Sequence, residues 1–262
     1  MCASVEAEIE RLGGHPAFPA QTSRNAVAAH YCPAPEDPSV YERGDMAKLD
    51  VGVHVDGFVV DTAVTVCVGG EAPEARLVDA TRAALDAAIA LVRPGRRVSE
   101  LSEAIERVVD EHGARAVRNI GGHGVARWRV HCPPPIPNVP EDSRDTLTAG
   151  MTIAIEPFAT SGEGLVAETG QAEVFRFDPR HAGDREVPSE LMQRIRDFRG
   201  LPFARRQLPG FAHGVVDEAL RVLAVVGGLQ AYPPLVEVTG ARVAQTEHTV
   251  LVTEQGAEVL TA

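Results

Sequence analysis

The sequence predicts an α+β fold in a single domain, on three observations. Residues 46–68 alternate apolar and polar around Asp56-Gly57, the strongest short-range signal for a β-hairpin. Residues 73–92 and 99–112 each carry one apolar stripe at helical spacing. Residues 116–175 and 235–260 read as strands and loops. A length of 262 residues suits one larger domain of this class.

The elements follow in chain order. Val5, Ile9 and Leu12 give residues 3–12 a short helical spacing, ended by Gly13-Gly14. Residues 15–45 are rich in Pro, Ala and polar residues and read as loop with short strands. In the hairpin, Leu49, Val51, Val53 and Val55 precede the turn, and Phe58, Val60, Ala63 and Val66 follow it. The stripe of the first long helix is Leu77, Val78, Leu85, Ala88, Ile89 and Val92, stopped by Pro94-Gly95. Ser99 is placed to cap the next helix, whose inward residues are Leu101, Ile105, Val108 and Val109, with Gly113 as its stop. Residues 188–198 and 214–226 read as two further helices in a more polar, Arg-rich segment. No internal repeat or low-complexity tail is found.

Composition excludes several classes. The apolar fraction is 44% and the charged fraction 24%, ordinary for a globular protein. Twenty-five basic against 37 acidic residues give a net charge of −12, which disfavours nucleic acid and anionic membranes as partners. Lys48 is the only lysine. Cysteines 2, 32, 67 and 132 form no C-x-x-C pair and read as reduced thiols. The acidic N-terminal stretch lacks the basic start and apolar core of a signal peptide, and no apolar run is long enough to span a bilayer. The expected location is the cytoplasm.

The hairpin can be worked out residue by residue. A two-residue Asp56-Gly57 turn pairs Val55 with Phe58, His54 with Val59 and Gly52 with Asp61. Asp50, Gly52 and Asp61 then share one face, with the two aspartates as diagonal neighbours roughly 7–8 Å apart. Carboxylates so placed can bind one ion or share two, and Gly52 leaves the space opposite Asp61 open. Two aspartates on one hairpin face are most often a solvated surface. Asp61, however, lies inside the apolar run FVVDTAVTV, where a buried carboxylate needs a cation, a partner or a proton. His123 in NIGGHGV, Glu156 in TIAIEPFAT and Glu247 in VAQTEHTVLV are further polar residues in apolar or glycine-rich frames. One histidine with four carboxylates is an oxygen-rich set that suits dinuclear Mn, Fe, Co or Zn hydrolytic chemistry better than a structural zinc site.

The order Asp50, Asp61, His123, Glu156, Glu247 resembles the ligand set of methionine aminopeptidases, in the pita-bread metallopeptidase family M24. AFP at 17–19, AAHYCP at 28–33, KLDVGVHVDGFVVDTAVTV at 48–66, GGHGV at 121–125, HCPPPIPN at 131–138, AIEPFATSGEG at 154–164 and AQTEHTV at 244–250 extend the match over nearly the whole chain. The 90 residues between Glu156 and Glu247, with FRGLPFARR at 198–206 and YPPL at 232–235, resemble the type 2, archaeal/eukaryotic-like branch and its helical insertion, expected at 186–228. In one respect the chain departs from the pattern: it begins where the family usually already has an extra N-terminal helical segment, so that segment is expected to be missing.

The resemblance implies a pita-bread (creatinase/aminopeptidase) fold: a curved antiparallel sheet with its ligands on the concave face, flanked by helices. It implies two divalent ions, Co, Mn, Fe or Zn, with Asp61 and Glu247 bridging both, Asp50 completing one site and His123 with Glu156 the other. Glu156 would also accept the proton of the attacking water. His131 would hydrogen-bond the scissile carbonyl or the following amide, and His30 the leaving nitrogen. Phe18, Val130 and Tyr232 would wall an apolar pocket for the methionine thioether. The expected substrates are nascent proteins and peptides with N-terminal methionine and a small second residue. A monomer is expected, and ribosome association is left open. His54 is placed near the hairpin turn and peripheral, Trp128 in packing, and Cys32 and Cys132 as incidental neighbours of the two histidines. Two other readings share the fold: a proline-specific peptidase, whose relatives usually show different histidine spacing near the fourth ligand and a larger N-terminal domain, and a catalytically dead binding protein, marked by loss of metal ligands, of which none is lost here.

Overall fold

The computed structural model describes residues 1–70, 72–178, 180 and 187–262. Its centre is an eight-stranded sheet in which every pairing is antiparallel. From one edge the order is His15–Pro16, Met46–Val55, Phe58–Cys67, Glu247–Thr253, Thr152–Ile155, Gly121–Ala126 and Arg129–Pro137, with Gly256–Val259 added to Glu247–Thr253. The last long strand of the chain is thus inserted between the early hairpin and the middle strands. That insertion brings sequence-distant carboxylates onto neighbouring strands.

Side-chain alternation divides the two faces of this sheet. Ile153, Ile155, Val250 and Val252 point to one side, where they join the main core with Leu77, Leu85, Leu101 and Ile105. Those last four belong to two helices, α2 (Arg76–Ile89) and α3 (Val98–Glu111), preceded in the chain by α1 (Cys2–Arg11). Ala154, Glu247 and Thr249 alternate to the opposite side, which is left for the site. The N-cap of α3 is Arg97 rather than the expected Ser99. Glu100 accepts a hydrogen bond from the Arg97 backbone N–H at 3.0 Å, so the carboxylate three residues on fixes the helix start two residues earlier. Gly113 ends α3 at φ +65°, as its position predicts.

A second hydrophobic cluster stands apart from the first. It joins Phe175, Phe177 and Phe203 to α4 (Ser189–Asp197) and α5 (His213–Val225), through Leu191, Ile195, Leu220 and Leu223. This is the region expected as a helical excursion from 186; residue 186 itself lies outside the described residues. Three small sheets complete the fold, one of which pairs Val174–Phe177 with both Phe203–Ala204 and Leu229–Tyr232. Lys48 lies on the hairpin's inner face and is 1% exposed; its Nζ donates to the carbonyls of Val243 at 2.7 Å and Asn25 at 3.2 Å. Among the described residues no helix is long and apolar enough to cross a membrane.

Candidate metal centre

The hairpin forms in the register its sequence predicts. Asp56 and Gly57 take φ +53° and +85°, and Gly52 pairs with Asp61, His54 with Val59 and Asp50 with Ala63. Asp50 and Asp61 therefore share the inner face. The Thr249 hydroxyl locks Asp61 in place: it accepts from the Asp61 backbone N–H and donates to the Asp61 carbonyl, both at 2.7 Å. Glu247 stands opposite Ala63 on the neighbouring strand, and Glu156 follows the Thr152–Ile155 strand next in line. His123 pairs with Ala154 on one side and Pro135 on the other. Its flanking glycines allow this crowding. A Cβ on Gly122 would lie 2.2 Å from the Ala154 carbonyl oxygen, and one on Gly124 2.3 Å from that of Pro133.

The five residues converge. Ligand atoms of Asp61, His123 and Glu247 lie within 4.8 Å of one another. His123 Nε2 is 3.7 Å from both Asp61 Oδ2 and Glu156 Oε1. His123 Nδ1 is 3.2 Å from the Gly124 carbonyl, and the tautomer that donates there turns an Nε2 lone pair toward the carboxylates. Asp61, Glu156 and Glu247 are each less than a tenth exposed. Burial pushes the Asp50 carboxyl up to about 7, although a hydrogen bond from Gln245 acts the other way. Burial first, and then the neighbouring carboxylates, raise Asp61, Glu156 and Glu247 well above the usual carboxylate range. Burial lowers His123 to about 4, so its imidazole is neutral and free to ligate. Asp50 Oδ1, Asp61 Oδ1 and Glu247 Oε1 are buried without a hydrogen-bond partner. Crowded, unpartnered carboxylate oxygens beside a neutral imidazole fit hard divalent cations.

Two buried glutamines join this cluster, and neither stood out in the sequence. Gln245 is 1% exposed, and its Nε2 lies 3.3 Å from Glu156 Oε2 and 3.4 Å from Glu247 Oε2. Its backbone is pinned by Thr65, which accepts from its N–H at 2.8 Å and donates to its carbonyl at 2.7 Å. The signal was available: Gln245 stands two residues before Glu247 in a strand-like run and so on the same face. Gln21 bridges Asp50 through paired backbone hydrogen bonds.

Above the carboxylates lies a cavity of about 260 Å³. Phe18, Val130, Tyr232, His30 and His131 all line it, as do Ile120, Val174 and Pro202, which the sequence did not single out. The space over Gly52 is not open, contrary to the expectation from the hairpin. The Phe18 ring occupies it, with Cε1 2.2 Å from where a Gly52 Cβ would stand. The chain segment after Pro16 runs back across the hairpin edge, and the missing side chain is what lets that ring in. His30 takes φ +66°, a left-handed conformation disfavoured for a side chain, and its ring meets Tyr232 edge-on at 5.7 Å. Burial lowers its pKa. The His131 ring stands 4.3 Å from that of His123. Loss of water in the cleft, followed by the charges of His123, His30 and Arg176, holds His131 below the ordinary histidine range. Its edge stays open to solvent, which weakens that shift.

The remaining residues fall outside this cavity. His54 packs between His15, at 5.4 Å between rings, and Trp128, at 4.8 Å. Trp128 covers the hairpin turn at Gly57. Cys32 is more than an incidental neighbour: it is buried, and Arg206 Nη1 donates to its sulfur at 2.5 Å. Burial nevertheless pushes its thiol up to about 12.

Comparison with known proteins places this geometry. The profile of metallopeptidase family M24 matches residues 1–254. A methionine aminopeptidase of Thermococcus onnurineus is 45% identical over 264 residues, covering 98% of this chain and 88% of that protein. The crystal structure of the methionine aminopeptidase of Thermotoga maritima superposes with a TM-score of 0.69 at 29% identity, covering 99% of this chain and 85% of that one. The prolidase of Pyrococcus furiosus superposes with a TM-score of 0.58 at 20% identity, over 54% of its own length, and shares the fold alone. With the curved antiparallel sheet, the converging carboxylates and near-complete coverage by these relatives, the chain belongs to metallopeptidase family M24, among its methionine aminopeptidases.

Proposed function

We propose that this chain removes the N-terminal methionine from nascent proteins and peptides whose second residue is small, with two divalent ions held by Asp50, Asp61, His123, Glu156 and Glu247. The observation that carries this reading is the convergence of those five side chains beneath an apolar cavity, with buried carboxylate oxygens that no protein donor reaches. Asp50, Asp61, Glu156 and Glu247 would offer carboxylate oxygens to the ions and His123 its imidazole nitrogen. Bound divalent metal supplies Lewis acidity and brings a coordinated water's pKa to about 7.

The chain's own groups do the rest. Phe18, Val130 and Tyr232 receive the methionine side chain in an apolar slot whose only acids, among the described residues, are those of the cluster. Glu156 accepts the proton of the attacking water. His131, near-neutral and at the open side, hydrogen-bonds the scissile carbonyl or the following amide, and His30 the leaving nitrogen. A bulky second side chain beside these two histidines displaces the scissile carbonyl, and a shift of ~1 Å costs on the order of a hundredfold in rate. We further read residues 1–262 as one catalytic domain, with the α4–α5 region as its helical insertion, working as a cytoplasmic monomer on nascent chains.

A Met-X-Ser panel tests it, with Mn²⁺, Co²⁺ or Fe²⁺ loaded and Xaa-Pro peptides as controls. Met followed by Ala, Gly, Ser, Thr or Val is cleaved, norleucine replaces Met fairly well, and Leu poorly. Asp61→Asn abolishes turnover and reduces the metal content. Preference for Xaa-Pro moves the chain to the proline-peptidase branch. Two bound metals without turnover of any peptide makes it a binding protein.

A further inference from the structure

Arg176 sits on the Val174–Phe177 strand, which pairs with Leu229–Tyr232. The register sets Val174 opposite Tyr232 and Arg176 opposite Gln230. Residues opposite one another, and residues two apart, share a face. Val174 and Tyr232 both line the cavity, whereas Phe175 and Phe177 point the other way into the second hydrophobic cluster. Arg176 is therefore on the cavity side, about 7 Å beyond Val174 along the strand. It is half-buried, and its partner position Gln230 is exposed, so this is the outward direction.

Among the described residues nothing neutralises its charge. Arg176 Nε and Nη2 donate to Gln230 Oε1 at 3.3 and 2.8 Å, and that acceptor is an uncharged amide. Among the described residues Arg176 has no ion pair, whereas Arg205 on the same small sheet's border is held by Glu173 and Asp217. A guanidinium has five N–H donors; Gln230 takes two, the Tyr232 phenol engages another, and both partners are uncharged. The charge is felt inside the cleft: at the Tyr232 phenol it opposes the rise caused by burial, and at His131 it adds to the lowering.

We propose that Arg176 is a specificity-determining residue that binds a carboxylate on the leaving side of the substrate: the side chain of an acidic third residue, or the C-terminal carboxylate of a tripeptide. The inference rests on the aminopeptidase reading above. With the first side chain between Phe18, Val130 and Tyr232 and the second beside His30 and His131, an extended substrate reaches its third residue about 7 Å further out. That is the step from Val174 to Arg176. In a chain of net charge −12, this unpaired cation at the mouth gives an acidic substrate a local attraction that the overall field denies it.

The test uses the Mn²⁺-loaded protein and C-terminally amidated peptides, so that the only carboxylate is the one placed by design. Met-Ala-Asp-NH2 is compared with Met-Ala-Lys-NH2, and free Met-Ala-Ser with Met-Ala-Ser-NH2. Arg176→Gln should lower the Asp-to-Lys ratio of kcat/KM by about fivefold to tenfold, mostly through KM, and 0.5 M salt should lower it in the parent protein. Arg176→Lys should retain most of the preference, and Arg176→Glu should reverse it. A change confined to the first pair of peptides identifies a side-chain carboxylate as the ligand, and one confined to the second pair the C-terminal carboxylate. If the parent protein cleaves Met-Ala-Ser-NH2 and Arg176→Gln leaves both ratios as they were, this inference is wrong and the aminopeptidase reading stands. If the parent cleaves none of the four, the aminopeptidase reading falls and takes the inference with it.

Discussion

Gly52→Ala tests the most confined contact in the site. The added Cβ would stand 2.2, 2.4 and 2.9 Å from Phe18 Cε1, Cδ1 and Cζ, all far inside contact distance. The ring has little room to yield, because Phe18 is 5% exposed and packs with Ala17, Val59, Val125, Val130, Ala154 and Leu201. The strand cannot yield cheaply either, since Gly52 is paired with Asp61 in mid-ladder. Overpacking of this kind costs about 1–3 kcal/mol. At this chain length that is a fall in Tm of about 2–4 °C for each kcal/mol, so roughly 4–8 °C for the middle of the range. The displaced ring also deforms the wall of the cavity, so kcat/KM on Met-Ala-Ser should fall at least tenfold even with metal saturating. Calorimetry of Gly52→Ala, Phe18→Ala and the double variant gives the coupling directly. In the double variant the methyl group occupies space the ring has vacated, and the two losses should not add. Additive losses, or an unchanged Tm for Gly52→Ala alone, would refute the argument that the ring and the glycine fit one another.

Two further predictions concern the carboxylate cluster. In the metal-free protein Asp50 titrates near 7 when folded and near 4 when unfolded, so its stabilising contribution is complete below about pH 4 and is lost as pH rises through about 7. Urea unfolding in chelator should therefore show this part of the stability falling between about pH 4 and pH 7, and added Mn²⁺ should reverse the trend; a metal-free protein that becomes steadily more stable over that interval would contradict the assignment. Gln245→Ala removes the amide shared by Glu156 and Glu247 and should weaken metal binding about 10–100-fold by calorimetry, while Tm in chelator changes far less.

The hairpin was legible because its information is local. Alternation, an Asp-Gly turn and a two-residue loop fix the register, and Gly52 opposite Asp61 follows without knowledge of the remaining chain. The convergence of His123, Glu156 and Glu247 was not local, and only the resemblance of motifs pointed to it. What neither route supplied was the contents of the space between elements. Phe18 over Gly52 depends on how an irregular segment recrosses the sheet edge. Val174 and Pro202 reach the cavity from the far helical region, through strand pairings separated by tens of residues. The start of α3 was misplaced for a different reason: Ser99 looked like a cap by type, but Glu100 had the better reach to a free backbone N–H.

The single lysine has a practical consequence. Lys48 is walled in, its Nζ held by two backbone carbonyls, and burial followed by the nearby charge of Arg242 lowers its pKa to about 7. In the folded protein an amine-directed dye or cross-linker finds no lysine side chain to attack. Modification of Lys48 requires the strands beneath the carboxylates to separate, so the rate of its labelling is an internal clock for opening of that part of the sheet. The mass increment on the peptide that carries Lys48, read apart from the fast label on the exposed N-terminal amine, would then time the event with no engineered probe.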